Sequence, residues 1–235
     1  MKTIKGILFD KDGTLIDFNG SWLQPYLDAS AYLAESVGKP EMAMTLMIKG
    51  GYIPDTKSWV PDSLLASGSN LQILDFWERE LGVPMEGDRL DEIQAIFAHA
   101  GSAYVPVMDD LAAYLDSLKS MGLKLGLATM DDVSNAESMI TKLGLENSFD
   151  FVCGANSGFG VKPEPGMIMA FCEQCDLKPE SVMMVGDSPK DLNMGKNAGA
   201  GMTVGVLTGA HDRELLSQYG DVVLTDISGI VEILH

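Results

Sequence analysis

Two carboxylates, Asp10 and Asp12, lie two residues apart directly after an apolar run of the sequence. The run, residues 4–9, predicts a buried strand, and the following Gly13 and Thr14 allow the chain to turn sharply. A carboxylate at a strand end can act as a nucleophile, a metal ligand or a general acid and base. One acidic pair does not define a site, so its chemistry depends on partners further along the chain.

Four later polar residues are candidate partners of this acidic pair. Thr129 follows a second apolar segment, and Asp187 follows a third one that ends in glycine. Lys162 lies in a stretch rich in glycine and proline, and Asp191 lies four residues after Asp187. Because open α/β sheets bind ligands at the carboxyl ends of their strands, these residue types predict a site at that edge.

The elements that must position these residues alternate between strand and helix from Pro106 onward. Such alternation predicts a parallel sheet with helices on both faces. Between residues 21 and 101 the apolar spacing is helical, with Ser69 or Asn70 as the N-cap of one helix and no convincing strand pattern. The sequence thus predicts an α/β protein that carries a helical segment after its first strand.

Composition limits the possible partners. The 235 residues suffice for one large domain or two smaller ones, and the apolar content of 46% favours a folded core. The formal net charge of −18 disfavours nucleic acid and anionic membranes as partners. An anionic substrate would therefore need local positive charge, which Lys162 and a bound cation could supply.

Cysteine usage and the N-terminus predict a reduced, cytoplasmic protein. Three cysteines do not suggest a disulfide framework, and the spacing of Cys172 and Cys175 lacks the second Cys or His pair of a zinc site. The chain has no segment typical of a signal peptide, and no stretch approaches the roughly 20 apolar residues of a membrane span.

The ordered motifs resemble those of the haloacid dehalogenase superfamily: Asp-x-Asp-Gly-Thr, then a Thr or Ser, then a Lys, then Gly-Asp-x-x-x-Asp. The nearest resemblance is to the branch similar to phosphoglycolate phosphatases. It implies a Rossmann-like catalytic core, at residues 1–17 and 102–235, and an all-helical cap domain, at residues 18–101. Met130 and Asp131 depart from the Asn or Ser that many relatives carry after the threonine, so phosphate contacts there are not transferred in detail.

The resemblance also implies catalytic roles. Asp10 would attack phosphorus and become an aspartyl phosphate, and Asp12 would be the general acid and base. Haloacid dehalogenases carry Tyr at the second position and phosphonate-cleaving relatives carry Ala, so Asp12 favours phosphate ester hydrolysis. Thr129 would donate to the phosphoryl oxygens, and Lys162 would neutralise their charge.

The cofactor implied by the resemblance is Mg²⁺. Its protein ligands would be the side chains of Asp10 and Asp187 with the backbone carbonyl of Asp12, and Asp191 would support the magnesium shell or Lys162 from behind. Magnesium prefers oxygen ligands and keeps several waters, which suits such an acidic strand-end site.

The expected function is hydrolysis of a small soluble phosphate monoester, either a phosphoglycolate-like compound or a sugar phosphate. A sugar phosphomutase and a non-catalytic phosphate-binding or regulatory subunit remain alternatives, and the chain could be a monomer or a homodimer. Substrate specificity is expected in the cap, with Lys49, Tyr52, Lys57 and Trp59 as candidates. Surface charge and cap packing explain those four residues equally well.

Overall fold

The computed structural model of the chain describes residues 3–100 and 104–234. Its strands are β1 (Gly6–Phe9), β2 (Tyr52–Ile53), β3 (Ser58–Trp59), β4 (Lys124–Ala128), β5 (Phe151–Cys153), β6 (Val182–Gly186), β7 (Met202–Val206) and β8 (Val222–Leu224). Its α-helices are α1 (Phe18–Ser36), α2 (Met42–Lys49), α3 (Leu64–Ser67), α4 (Asn70–Leu81), α5 (Asp88–Ala100), α6 (Leu111–Ser120), α7 (Val133–Lys142), α8 (Gly166–Cys175), α9 (Pro189–Ala198), α10 (Arg213–Leu216) and α11 (Ile230–Ile233).

Six strands form a parallel sheet in the order β5-β4-β1-β6-β7-β8. The central strand β1 is buried along its whole length, as its continuous apolar run predicts. Phe9, its last residue, pairs with Leu127 of β4 on one side and with Val185 of β6 on the other. Helices follow the strands and cover the sheet, so the predicted Rossmann-like α/β fold is confirmed.

Apolar side chains from α8 and α9 build one core cluster against the sheet. Phe171 and Met167 of α8 and Met194 of α9 are fully buried in it, together with Leu8 and Met184 from the strands. Burial of each such side chain stabilises the fold by about 1.5–3 kcal/mol. This packing holds the carboxyl ends of the central strands in a fixed relation to one another.

The chain divides into two compact units, one formed by Met1–Asp17 with Pro106–His235 and the other by Phe18–Val105. Where the chain leaves and re-enters the first unit, Ile16 bridges antiparallel to Pro106, and the Val107 N–H donates to the Leu15 carbonyl at 3.0 Å. The boundary expected between residues 101 and 102 lies outside the described residues.

The second unit contains α1 to α5 around an aromatic core. Trp22, Tyr26, Trp77 and Phe97 lie within ring-centroid distances of 5.6–6.5 Å of their neighbours in this core. Helix α4 begins with a capping box in which Ser69, rather than Asn70, is the N-cap. The buried face of α4 is formed by Ile73, Phe76, Trp77 and Leu81.

The expectation of an all-helical insertion needs one correction, because β2 and β3 form a small antiparallel hairpin there. Each strand has only two residues, which is too short for an alternating pattern to be recognised in the sequence. Tyr52 and Trp59 pair across the hairpin with their ring centroids 5.1 Å apart, and both are buried.

Lys49, another of the residues expected to set substrate specificity, forms an ion pair with Glu80.

Among the described residues, no helix combines the length and the apolar character that a membrane crossing requires.

Candidate active site

Three of the predicted site residues lie at the carboxyl ends of adjacent strands. Asp10 follows β1, Thr129 follows β4 and Asp187 follows β6. The Asp10 N–H donates to the Val185 carbonyl at 2.8 Å, and the Thr129 N–H donates to the Cys153 carbonyl at 3.1 Å. The ladders thus continue one residue beyond the strands and hold these side chains at one edge of the sheet.

Lys162 reaches this edge from the loop between β5 and α8. Its side chain is buried, its ammonium donates to Asp10, and it forms an ion pair of 2.7 Å with Asp191. Burial alone would lower the pKa of Lys162, but the two carboxylates outweigh that effect and raise it. The two carboxylates thus favour the charged form of Lys162 beside Asp10.

Asp191 is held in the first turn of α9. Ser188 and Asp191 form a capping box at the start of α9, with Pro189 in the first turn. One Asp191 oxygen, Oδ2, accepts from the Ser188 N–H at 3.1 Å and from its hydroxyl at 2.6 Å, while Oδ1 faces Lys162. Both oxygens are engaged by protein groups, which suits a supporting role behind the reacting atoms.

Asp10, Asp187 and Asp191 form an acidic cluster in which one carboxylate oxygen from each lies within 4.8 Å of the others. Burial raises the pKa of Asp10 to about 7, against the opposing charge of Lys162. Burial and the charges of Asp10 and Asp191 also raise the pKa of Asp187 well above its usual range. Closely spaced carboxylates that disfavour one another's ionisation fit a divalent cation, because its charge would favour the ionised forms.

Thr129 offers a hydroxyl at the same edge. Its side chain is 1% exposed, and its Oγ1 accepts from the Asp131 N–H at 3.0 Å. Because that bond uses a lone pair of the oxygen, the hydroxyl proton can still be donated to an anionic ligand.

Asp12 lies in the turn after Asp10, with its side chain 19% exposed. Two residues that the sequence did not assign to the site hold it there. The ammonium of Lys11 lies 3.0 Å from Asp12 Oδ2 and 3.1 Å from Oδ2 of Asp131, and the Lys11 side chain is fully buried. Nothing local in the sequence shows that Lys11 turns inward, because residue type alone predicts a solvated lysine.

The loop after β7 supplies further contacts that the sequence did not predict. The Thr208 hydroxyl donates to the Gly13 carbonyl at 2.6 Å, and His211 Nδ1 lies 3.0 Å from the Asp187 carbonyl oxygen. A Cβ atom on Gly209 would lie 1.8 Å from Asp187 Oδ2, so this position admits only glycine. A glycine just after a buried strand was the available signal for this close approach.

Comparison with known proteins shows the family of this chain. The family model of haloacid dehalogenase-like hydrolases matches residues 4–199. A pyrophosphatase PpaX from Bacillus mycoides is 26% identical over 232 residues, which cover 98% of this chain and 97% of the relative. A phosphoglycolate phosphatase from Psychrobacter arcticus is 26% identical over 219 residues, which cover 89% of this chain and 87% of the relative.

A solved structure shares the fold over the whole chain. The crystal structure of a predicted phosphoglycolate phosphatase from Haemophilus somnus superposes with a TM-score of 0.71 at 21% identity, covering 100% of both chains. Together with the family match, these findings confirm the resemblance read from the motifs. The chain therefore belongs to the haloacid dehalogenase-like hydrolases, as an enzyme whose named relatives are phosphatases.

Proposed function

We propose that this chain is a magnesium-dependent phosphatase that hydrolyses a small phosphate monoester through an aspartyl phosphate on Asp10. The observation that carries the proposal is the buried contact of Lys162 with Asp10, at a sheet edge that also holds Thr129 and Asp187. A cation, a hydroxyl donor and an acidic cluster around one carboxylate are what transfer of a phosphoryl group requires. The unit of residues 18–105 is proposed as the cap and the other unit as the catalytic core.

In the first step a carboxylate oxygen of Asp10 attacks phosphorus, and the bond from phosphorus to the ester oxygen breaks. Lys162 orients the Asp10 carboxylate through its ammonium and lowers the negative charge that the phosphoryl group meets. The Thr129 hydroxyl donates to a phosphoryl oxygen. Positioning carries most of the catalysis, because a carboxylate is a weak nucleophile.

Asp12 has a proton-transfer role in both steps. It gives a proton to the departing alcohol oxygen in the first step, and in the second it takes a proton from the water that attacks phosphorus. The bond between phosphorus and Asp10 then breaks, which releases inorganic phosphate and restores the carboxylate. A site retired from catalysis, as in a regulatory subunit, would have no need of Asp12.

Asp10 and Asp187, with the backbone carbonyl of Asp12, are the residues that would hold Mg²⁺. When bound, the ion would offset the repulsion between the carboxylates and a phosphate dianion. The acidic cluster supports this assignment, and phosphatases of the family generally use a divalent metal. Asp191 keeps Lys162 and the start of α9 in place around it.

A panel of phosphorylated compounds tests the proposal. The panel contains 2-phosphoglycolate, several sugar phosphates, pyrophosphate and 4-nitrophenyl phosphate, each assayed with magnesium and with excess chelator. We expect hydrolysis of at least one monoester that chelator abolishes and magnesium restores. Asp10→Asn should remove nearly all turnover, whereas Asp116→Asn, a matched change on the exposed face of α6, should leave it intact.

The panel also separates the alternatives. Activity that depends on a sugar bisphosphate would assign a phosphomutase, and activity on pyrophosphate alone would replace the monoester assignment. A folded Asp10→Asn variant with normal turnover would contradict the covalent mechanism. Full activity in chelator would contradict the metal assignment.

A further inference from the structure

The most unusual group near the site is the buried lysine inside the Asp-Lys-Asp-Gly-Thr motif. The Lys11 side chain has 0% exposure, although lysine is among the side chains least often fully buried. Its ammonium lies 3.2 Å from Asp12 Oδ1 and 3.0 Å from Asp12 Oδ2, so it faces both oxygens of that carboxylate. A buried ammonium is tolerated only with compensating negative charge and hydrogen bonds.

The second carboxylate on Lys11 belongs to Asp131, which lies 120 residues away in the sequence. Asp131 Oδ2 accepts from the ammonium at 3.1 Å, and the Asp131 side chain is 5% exposed. Its other oxygen, Oδ1, accepts from the Asp132 N–H at 2.7 Å and from the Asn135 amide at 2.8 Å. Asp131 is thereby attached to the beginning of α7.

We propose that Lys11 and Asp131 are positioning residues that hold the Asp12 carboxylate in place for proton transfer. The inference rests on the proposed function, because Asp12 is its acid and base. The contacts run from α7 through Asp131 and Lys11 to Asp12. Helix α7 therefore fixes the Asp12 side chain in the turn after β1. Without the ammonium, two neighbouring carboxylates would repel each other and Asp12 would move.

A positioning role and a purely structural role for Lys11 and Asp131 predict different losses of rate on different esters. An acid that is misplaced by about 1 Å can cost on the order of 10²-fold in rate. That loss falls on esters whose leaving group needs a proton, such as glycerol 1-phosphate. It is small for 4-nitrophenyl phosphate, because its leaving group departs as a stable anion. General damage to the site would lower hydrolysis of both esters alike.

The experiment measures kcat/KM on both esters with magnesium, since this ratio reports the steps through departure of the leaving group. We expect Lys11→Met to lower it about 100-fold on glycerol 1-phosphate and less than about 10-fold on 4-nitrophenyl phosphate. Lys11→Arg, which keeps the charge, should recover part of the loss. Lys124→Met is the matched control, because Lys124 pairs with Asp150 at 2.9 Å and starts β4 at the other end of the sheet.

The partner residue provides a second test. Asp131→Asn should show the same preference between the esters, and the variant with both Lys11→Met and Asp131→Asn should lose no more than Lys11→Met alone, because the two act as a unit. The double variant also removes both buried charges together, so it provides the measurement if Lys11→Met does not fold. Beryllium fluoride should still bind at Asp10 in each folded variant, as seen by fluorine NMR.

The outcomes separate this inference from the proposed function. If the wild-type protein hydrolyses neither ester nor any other compound of the panel, the proposed function itself fails. If the wild type is active and a folded Lys11 variant loses nothing, or loses equally on both esters, the positioning role is overturned and the proposed function stands.

Discussion

Replacement of the proposed nucleophile, Asp10→Asn, is expected to stabilise the metal-free protein at pH 8. Asp10 is 7% exposed, and its burial raises its pKa from 3.8 to about 7. Asparagine has nearly the same shape and carries no charge to desolvate. The change should therefore remove a destabilising group and abolish activity at the same time.

The pH dependence of this stabilisation follows from the difference between the pKa of Asp10 in the folded and in the unfolded protein. A carboxyl whose pKa is higher in the folded state favours folding below its unfolded pKa, and this contribution is lost as the pH rises from about 4 to about 7. The difference between 3.8 and about 7 corresponds to an upper value of about 4 kcal/mol at pH 8. The pKa of about 7 already includes the attraction of Lys162, which opposes the effect of burial on Asp10. We expect a stabilisation of about 2–4 kcal/mol at pH 8.

Urea unfolding of both proteins in chelator, at pH 5 and at pH 8, measures this effect. The Asn variant should be more stable at pH 8, and the gap should fall to less than about half of that value at pH 5. Asp116→Asn is the control and should change little at either pH. Magnesium should reverse the order at pH 8, because ligand binding stabilises only the protein with an intact site. A gap that does not depend on pH, or an Asn variant that is less stable at pH 8, would refute the reasoning.

Two further predictions concern Gly13, in the turn after β1, and Tyr114 of α6. Gly13 has φ +80°, and a Cβ atom there would lie 2.8 Å from Asp187 Oδ2. Gly13→Ala should therefore lower the free energy of unfolding by about 1–2 kcal/mol, measured by thermal unfolding, and weaken activation by magnesium. An active variant with normal magnesium dependence would contradict this. The Tyr114 hydroxyl donates to a backbone carbonyl, and burial raises the pKa of Tyr114 to about 12. Tyr114→Phe should lower the free energy of unfolding by about 1 kcal/mol at pH 8, measured by denaturant titration. As the pH rises from 10 toward 12, only the wild type should lose the stability that this hydroxyl contributes. Equal pH dependence of the two proteins would exclude the effect.

The sequence by itself predicted the α/β fold and the residues at the sheet edge. Asp10, Thr129 and Asp187 each come directly after a strand, and the carboxyl ends of parallel strands meet at one edge. Asp191 was expected to support the magnesium shell or Lys162, and the structure places it in the first turn of α9, 2.7 Å from the Lys162 ammonium. These features depend on neighbours in sequence, or on the regular geometry of a sheet.

Only the tertiary structure decided where the side chains in the turns point. Lys11 had no role in the sequence interpretation and Asp131 was only a departure from the family pattern, yet the structure brings them together across 120 residues and buries both. The Gly209 contact with Asp187 and the hairpin of β2 and β3 were likewise absent from the sequence interpretation. Periodicity reports which face of a regular element is buried, whereas a side chain in a turn takes its direction from contacts with distant parts of the chain.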